Sequence, residues 1–241
     1  VDLLHDAAET FGAMIAAIDA AARYVHFATY IFDGGPLGRQ VAAALAAAAA
    51  RGVEVRVLLD GVGDFYSWPG IEPLLRGTGV KLEQFLPPRF LPPALSINLR
   101  NHRKILVVDG RAAFVGGINI GDENVLAGNP PHPVRDTHFR FEGPVVEQLT
   151  EAFADDWLFQ TGEKLLNEAW FPPIAPVGLV PARAVSSGPD EEMEQIEYVA
   201  VHAISCARRS IRVVTPYFLP PDILTMTLGL AAMRGIAVDI V

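Results

Sequence analysis

Apolar positions near the start of the chain change spacing in a way that predicts alternating helices and strands. A helical pattern runs from Thr10, the predicted N-cap, to about Ala22. Runs rich in β-branched and aromatic residues predict strands over Tyr24–Phe32 and Val53–Leu59, with an alanine-rich helix over Leu37–Ala50 between them. A helix between two strands indicates a parallel α/β unit.

The pattern continues with shorter elements up to residue 160. It predicts a helix over Ile71–Gly77, a strand over Val80–Phe85, loops over Leu86–Leu95 and Gly121–Arg135, a strand over Thr137–Phe141 and an amphipathic helix over Gly143–Gln160. The first of these loops contains four prolines, which exclude it from a central strand.

A β-hairpin is predicted between the two loops. Ile105–Val108 is an apolar run of strand length, Asp109-Gly110 is a turn dipeptide, and Ala112–Val115 forms the return strand before Gly116-Gly117. The hairpin places its two ends side by side.

Polar residues flank this hairpin at its open end. His102 and Lys104 are two residues apart and therefore point to the same side of the strand. Asn119 returns near them after the glycines, which permit a close backbone approach. An imidazole, a cation and an amide that converge in this way suit a phosphate group.

The last fifth of the chain repeats its beginning. Ala17–Phe32 matches Ala203–Phe218 at a constant offset of 186, and Arg51–Val57 matches Arg234–Ile240 at an offset of 183. We therefore predict a first domain over residues 1–162, a proline-rich connector over 163–189 and the start of a second copy over 190–241. A second catalytic strand is expected roughly 45 residues beyond Ile240.

Composition limits the class of protein. The 241 residues are 51% hydrophobic, which is sufficient for a sizeable core, and no apolar segment reaches membrane-spanning length, so the chain is soluble or lies on a membrane. A net charge of −9 disfavours general nucleic-acid binding. Positive charge nevertheless gathers around the hairpin, at Arg89, Arg100, Arg103 and Lys104.

His102, Lys104 and Asp109 fit the pattern H-x-K-x-x-x-x-D, followed by Gly116-Gly117-x-Asn119. The chain here resembles the phospholipase D superfamily, whose HKD signature this is, and its bacterial cardiolipin synthases in particular. The stretches that resemble this subfamily are Asn98–Lys104 (NLRNHRK), Gly116–Glu123 (GGINIGDE), Arg135–His138 (RDTH), Asp156-Trp157 with Thr161-Gly162, and Thr215–Phe218 (TPYF). The sequence departs from the subfamily in lacking a second HKD motif and N-terminal membrane helices.

The resemblance implies both a fold and a mechanism. The implied fold is a duplicated α/β/α sandwich with a mixed central sheet, its second copy truncated. His102 would attack the phosphorus to give a phosphohistidine, and a histidine from the other half would protonate the leaving alcohol. Lys104 and Asn119 would hold the phosphoryl oxygens. The mechanism needs no metal or cofactor.

Two carboxylates are further candidates for the catalytic site. Asp109 belongs to the HKD motif, but its Asp-Gly turn position already gives it a structural role. Asp136 is the candidate for orienting the His102 ring, with Asp122 and Glu123 as alternatives. A surface acid paired with a neighbouring arginine is the competing interpretation of Asp136.

Other residues are candidates for substrate contact. Tyr30 and Tyr217 end equivalent strands, where ligands bind in such folds, although core packing is an equal alternative. Arg100 and Arg103 are candidates for binding a lipid headgroup phosphate. The apolar Phe90-Leu91 and Leu95 are candidates for insertion into a bilayer, against an ordinary surface loop as the alternative.

These observations predict a phosphatidyltransferase of cardiolipin synthase type that acts on phospholipids, phosphatidylglycerol among them. The alternatives are a hydrolase of the same superfamily, acting on lipid or less plausibly on nucleic acid, and a non-catalytic lipid-binding module. The expected location is a bacterial membrane surface, reached peripherally or through an N-terminal anchor. The second HKD half would come from a C-terminal region or from a partner chain.

Overall fold

The computed structural model describes residues 1–63, 69–87, 101–165, 167–187, 195–215 and 217–241. They form two compact units, residues 1–184 and 185–241. The first part of the predicted connector belongs to the first unit, where Leu165 and Trp170 are buried.

The first unit is built on a seven-stranded sheet. Its strands are β1 (Asp2–Leu4), β2 (Tyr24–Thr29), β3 (Glu54–Asp60), β4 (Lys81–Phe85), β5 (Ile105–Val108), β6 (Ala112–Gly116) and β7 (His138–Glu142), in the spatial order β1-β7-β6-β5-β2-β3-β4. Neighbours among β2, β3 and β4 run parallel, and the remaining pairs are antiparallel. The predicted mixed sheet is therefore confirmed.

Helices cover both faces of this sheet. They are α1 (Ala7–Ala20), α2 (Pro36–Ala50), α3 (Glu72–Leu75) and α4 (Val145–Thr161). Strand β2 is buried throughout because alternate residues enter two cores: Val25 and Phe27 pack with α1 and α2, and Tyr24 and Ala28 pack with α4. The result is the predicted α/β/α sandwich.

The predicted hairpin of β5 and β6 is present and determines where the site forms. Because β5 is antiparallel to β2, Ile105 lies opposite Ala28, so β5 begins where β2 ends. Gly116 at the end of β6 pairs with His138 at the start of β7. The residues at these strand ends consequently meet along one edge of the sheet.

Two local predictions were wrong. Thr10 does not cap a helix; α1 begins at Ala7, and the Asp6 carboxylate accepts the Glu9 backbone N–H at 3.0 Å. The predicted loop Gly121–Arg135 contains two short 3-10 helices, Asp122–Asn124 and Leu126–Gly128. Strand β1 was not predicted. Phe90, Leu91 and Leu95 lie outside the described residues.

The second unit has the predicted helix–strand–helix–strand order. It comprises α5 (Gln195–Cys206), β8 (Ser210–Val213), α6 (Asp222–Met233) and the parallel strand β9 (Ala237–Ile240). Ser210 pairs with Ala237, as Tyr24 pairs with Glu54 in the first unit, so the sequence offsets preserve the strand register. Across both units, none of the described helices is long and apolar enough to traverse a bilayer.

Candidate active site

His102 and Lys104 form the centre of the candidate site, immediately before β5. The Lys104 Nζ atom lies 3.3 Å from His102 Nδ1 and donates a hydrogen bond to the His102 carbonyl oxygen at 3.0 Å. The Tyr30 ring, just past the end of β2, lies 4.3 Å from the His102 ring between centroids. Its centroid is 5.3 Å from Lys104 Nζ, within the range of a cation–π contact. The structure therefore brings three predicted residues together.

The protonation states of this pair follow from burial. Lys104 is only 5% exposed, and this desolvation lowers its pKa to about 8, against the opposing charges of Asp136 and Asp60. Partial burial and the Lys104 charge also lower the pKa of His102. The His102 ring is thus neutral at pH 7, the form that a nucleophile requires.

Asp60, at the end of β3, anchors the segment that carries His102. Its Oδ1 atom accepts the backbone N–H groups of Val62 at 2.8 Å and Gly63 at 3.0 Å, and its Oδ2 atom accepts the Asn101 N–H at 2.9 Å. This residue was not among those predicted from the sequence. The available signal was an acid at the carboxyl end of a buried parallel strand, a position where ligand sites form.

Gly116 and Gly117 allow other side chains to lie against the backbone. A Cβ atom on Gly116 would lie 2.5 Å from His138 Nδ1, and one on Gly117 would lie 2.1 Å from an Asp136 carboxylate oxygen. Neither distance is tolerable, so a larger residue at either position would displace these side chains. The need for close approach explains both glycines.

Asn119 and His138 each bring buried polar atoms to this edge. Within the described residues, neither Asn119 Oδ1 nor either ring nitrogen of His138 has a hydrogen-bond partner. Burial and the Lys104 charge lower the pKa of His138 to about 4, so its ring is neutral at pH 7. His138 ends the RDTH stretch, and no role was predicted for it from the sequence.

Asp136 lies near Lys104 but does not make the predicted contact with His102. Its carboxylate accepts the Thr137 backbone N–H at 2.7 Å, and its charge acts on Lys104. In the described part of the chain the His102 ring pairs with Lys104 instead. Of the alternatives, Asp122 accepts the Leu37 N–H at the start of α2, at 3.0 Å. Glu123 contacts the Asn124 amide at 3.4 Å.

Asp109 lies at the opposite end of the hairpin from His102. Its carboxylate accepts the backbone N–H groups of Ala22, Arg23 and Tyr24, each at 2.8 Å. Its own backbone has φ of +55°, as the turn requires. These contacts connect the turn to the beginning of β2.

The remaining residues predicted to contact substrate are Arg103, Tyr217 and Arg100. The Arg103 guanidinium pairs with Asp156 of α4 at 2.6 Å, and the Asn101 amide donates to the same carboxylate at 2.7 Å. Tyr217 belongs to the second unit and is 81% exposed, whereas Arg100 lies outside the described residues. Within the described ranges, no three or more His, Cys, Asp and Glu side chains lie together in a way suited to a metal ion.

Comparison with known proteins identifies close relatives. Residues 14–157 match the family described as cardiolipin synthase, PLD-like domain. The chain is 38% identical over 243 residues to the major cardiolipin synthase ClsA of Bacillus subtilis (strain 168), covering 100% of this chain and 50% of that protein. It is 39% identical over 241 residues to cardiolipin synthase A of Pseudomonas entomophila (strain L48), with the same coverage.

A solved structure supports the fold. Phosphatidylserine synthase from Haemophilus influenzae Rd KW20 superposes with a TM-score of 0.68 at 14% identity, over 99% of this chain and 60% of that one. At this identity the similarity concerns the fold alone. The chain spans about half the length of the curated relatives that it matches.

Proposed function

The chain belongs to the family of cardiolipin synthase, phospholipase D-like domains, and we propose that it supplies one half of the active site of a phosphatidyltransferase. The observation that carries the proposal is the His102–Lys104 pair, 3.3 Å apart. It combines a neutral imidazole with a buried cation, as attack on a phosphodiester requires.

In the first step, the His102 ring attacks the phosphorus of a phospholipid headgroup. A P–N bond forms, the P–O bond to the leaving alcohol breaks, and a histidine of the second half protonates that alcohol. Lys104 and Asn119 bind the phosphoryl oxygens, where negative charge increases in the transition state. The product is a phosphatidyl group attached to His102.

In the second step, the hydroxyl group of phosphatidylglycerol attacks the phosphohistidine. The second histidine accepts the hydroxyl proton, a new P–O bond forms, and the P–N bond to His102 breaks. This regenerates the neutral His102 ring and joins two lipids through one phosphodiester. Because both substrates are lipids, the reaction takes place at a membrane surface.

The second half of the site comes from a second HKD copy, which begins in residues 190–241. The support is the repeated strand register of β8 and β9, together with the greater length of the relatives. The first unit supplies only one of the two histidines that the steps require. We therefore expect little or no turnover by the 241-residue chain alone.

The test uses the complete protein with vesicles of phosphatidylglycerol, and mass spectrometry of the lipid products. We expect cardiolipin formation, which His102→Ala abolishes and His132→Ala, a change on an exposed loop, preserves. Formation of phosphatidic acid without cardiolipin would identify a hydrolase. Undiminished transfer by His102→Ala would refute the nucleophile assignment.

A further inference from the structure

His138 is a fully buried imidazole that the two chemical steps leave unused. It is 0% exposed, and both of its ring nitrogens lack a hydrogen-bond partner within the described residues. Buried polar side chains are almost always hydrogen-bonded. A side chain that comes within reach in another state of the site would provide the missing partner.

The strand register shows which side chain lies nearest to His138 along its row. Ile105 pairs with Val115, which places Lys104 beside Gly116, and Gly116 pairs with His138. Lys104, Gly116 and His138 thus occupy adjacent positions on one face of three neighbouring strands. Because Gly116 has no side chain, the His138 ring covers it, and Lys104 is the next side chain along the row.

Lys104 must also change its contact with His102 during catalysis. Two of its contacts are with His102, at Nδ1 and at the carbonyl oxygen. While the ammonium group donates to Nδ1, the neutral ring carries its proton on Nε2, and that nitrogen has no lone pair for attack. A bound phosphoryl group must therefore draw Lys104 away from Nδ1.

We propose that His138 is a positioning residue, whose imidazole accepts a hydrogen bond from the Lys104 ammonium group when a phosphoryl group draws Lys104 away from His102. A neutral imidazole always presents one acceptor nitrogen, and the buried ring over Gly116 is held in place to offer it. The inference rests on the proposed function, because the phosphoryl group of that reaction is what moves Lys104.

The chain permits a direct test, because it contains three lysines: Lys81, Lys104 and Lys164. Lysine labelled with 13C and 15N gives three NMR signals, which are followed while inorganic phosphate is added at pH 7. We expect the Lys104 signal to move and the other two to serve as references. His138→Leu should weaken phosphate binding about tenfold, the effect of losing one hydrogen bond to a charged group.

Two further variants separate positioning from packing. His138→Gln retains a hydrogen-bond acceptor and should preserve most of the phosphate affinity. His26→Leu changes another buried histidine whose ring nitrogens lack partners, on the opposite face of the sheet, and should leave the affinity unchanged. Equal weakening by His138→Leu and His138→Gln would overturn the proposal, as would wild-type affinity in His138→Leu.

A measurement on the unsubstituted chain decides the question if His138→Leu does not fold. Phosphate should shift the ring 15N signal of the His138 acceptor nitrogen, and unchanged His138 signals or an unresponsive Lys104 would overturn the inference. Such a failure would leave lipid transfer by the complete protein, and its loss in His102→Ala, untouched. Absence of lipid transfer despite the expected phosphate response would refute the proposed function alone.

Discussion

Asp109 provides the D of the HKD motif, yet its contacts are those of a residue that supports the fold. Three backbone N–H groups at the start of β2 donate to its carboxylate. The contact with the Tyr24 N–H is buried and the other two are partly buried, so loss of the carboxylate would leave one buried donor without its partner. Its turn position alone had suggested a structural role, but the partners became visible only once β2 and β5 were paired.

We predict that Asp109→Ala lowers the free energy of unfolding by about 1–3 kcal/mol, because the buried Tyr24 N–H and two partly buried N–H groups lose their acceptor. Urea unfolding monitored by circular dichroism measures this change. Asp136→Ala is the matched control, since this acid is exposed, and it should change stability by about 0.5 kcal/mol or less. Unchanged stability in Asp109→Ala would contradict the structural role.

The sequence identified the site residues that lie close together along the chain, and it missed those contributed by distant strands. His102 and Lys104 precede a single strand two residues apart, so local spacing was sufficient to predict that they meet, whereas the approach of Asn119 to them stays a prediction. Asp60 ends β3, and its contact with Asn101 depends on the order of strands in the sheet. Local spacing contains no information about that order.

At the scale of elements, α1 and α2 each contain a glycine, and the two glycines differ in the space available for a side chain. A Cβ atom on Gly38 of α2 would lie 1.7 Å from the Asp33 carbonyl oxygen. A Cβ atom on Gly12 of α1 would have nothing within 4 Å. Gly38 therefore allows α2 to approach the loop after β2, whereas Gly12 only weakens its helix.

We predict opposite effects of alanine at these two positions. Gly38→Ala should destabilise the protein by about 3 kcal/mol, because the backbone must move to admit the methyl group. Gly12→Ala should stabilise it by about 0.5–1 kcal/mol through helix propensity. Thermal unfolding of both variants provides the comparison, and a stabilised Gly38→Ala would refute the close approach.

Strong local patterns predicted most elements, and the missed ones depend on tertiary pairing. The runs of β2, β3 and the hairpin identified buried strands, because burial on both faces leaves a continuous apolar sequence. Strand β1 has only three residues and exists because it pairs antiparallel with β7, which lies far along the chain. No local periodicity predicts such a strand.

At the scale of the whole molecule, equivalent strands of the two units differ in how deeply their side chains are buried. Strand β2 is buried at every position, whereas β8, which preserves its register, alternates between exposed and half-buried positions. In the first unit β2 has β3 and β5 as neighbours and helices on both faces. Within the described residues of the second unit, β8 pairs with β9 alone. Burial therefore reflects the number of covering layers as well as the sequence.

The stability of the whole first unit should depend on pH through His26. Its ring lies 4.6 Å from the Phe153 ring between centroids, close to parallel at 10°, and is fully buried. Burial and the Arg56 charge lower its pKa to about 3, against the opposing charge of Glu163. In the unfolded chain His26 therefore binds a proton below about pH 6.5, whereas in the folded chain it does so only below about pH 3.

It follows that stability falls as the pH decreases through this window, by about 1.4 kcal/mol per pH unit from His26. His138 adds a similar loss down to about pH 4. We predict that His26→Leu removes one of these two contributions, which is measured as a smaller change in unfolding free energy between pH 6 and pH 5. Above pH 7 both proteins should show the same pH dependence, since the histidine is neutral in the folded and unfolded chains. If the unfolding free energy of the unsubstituted protein and of His26→Leu changed equally between pH 6 and pH 5, the buried His26 ring would be shown to accept a proton without cost.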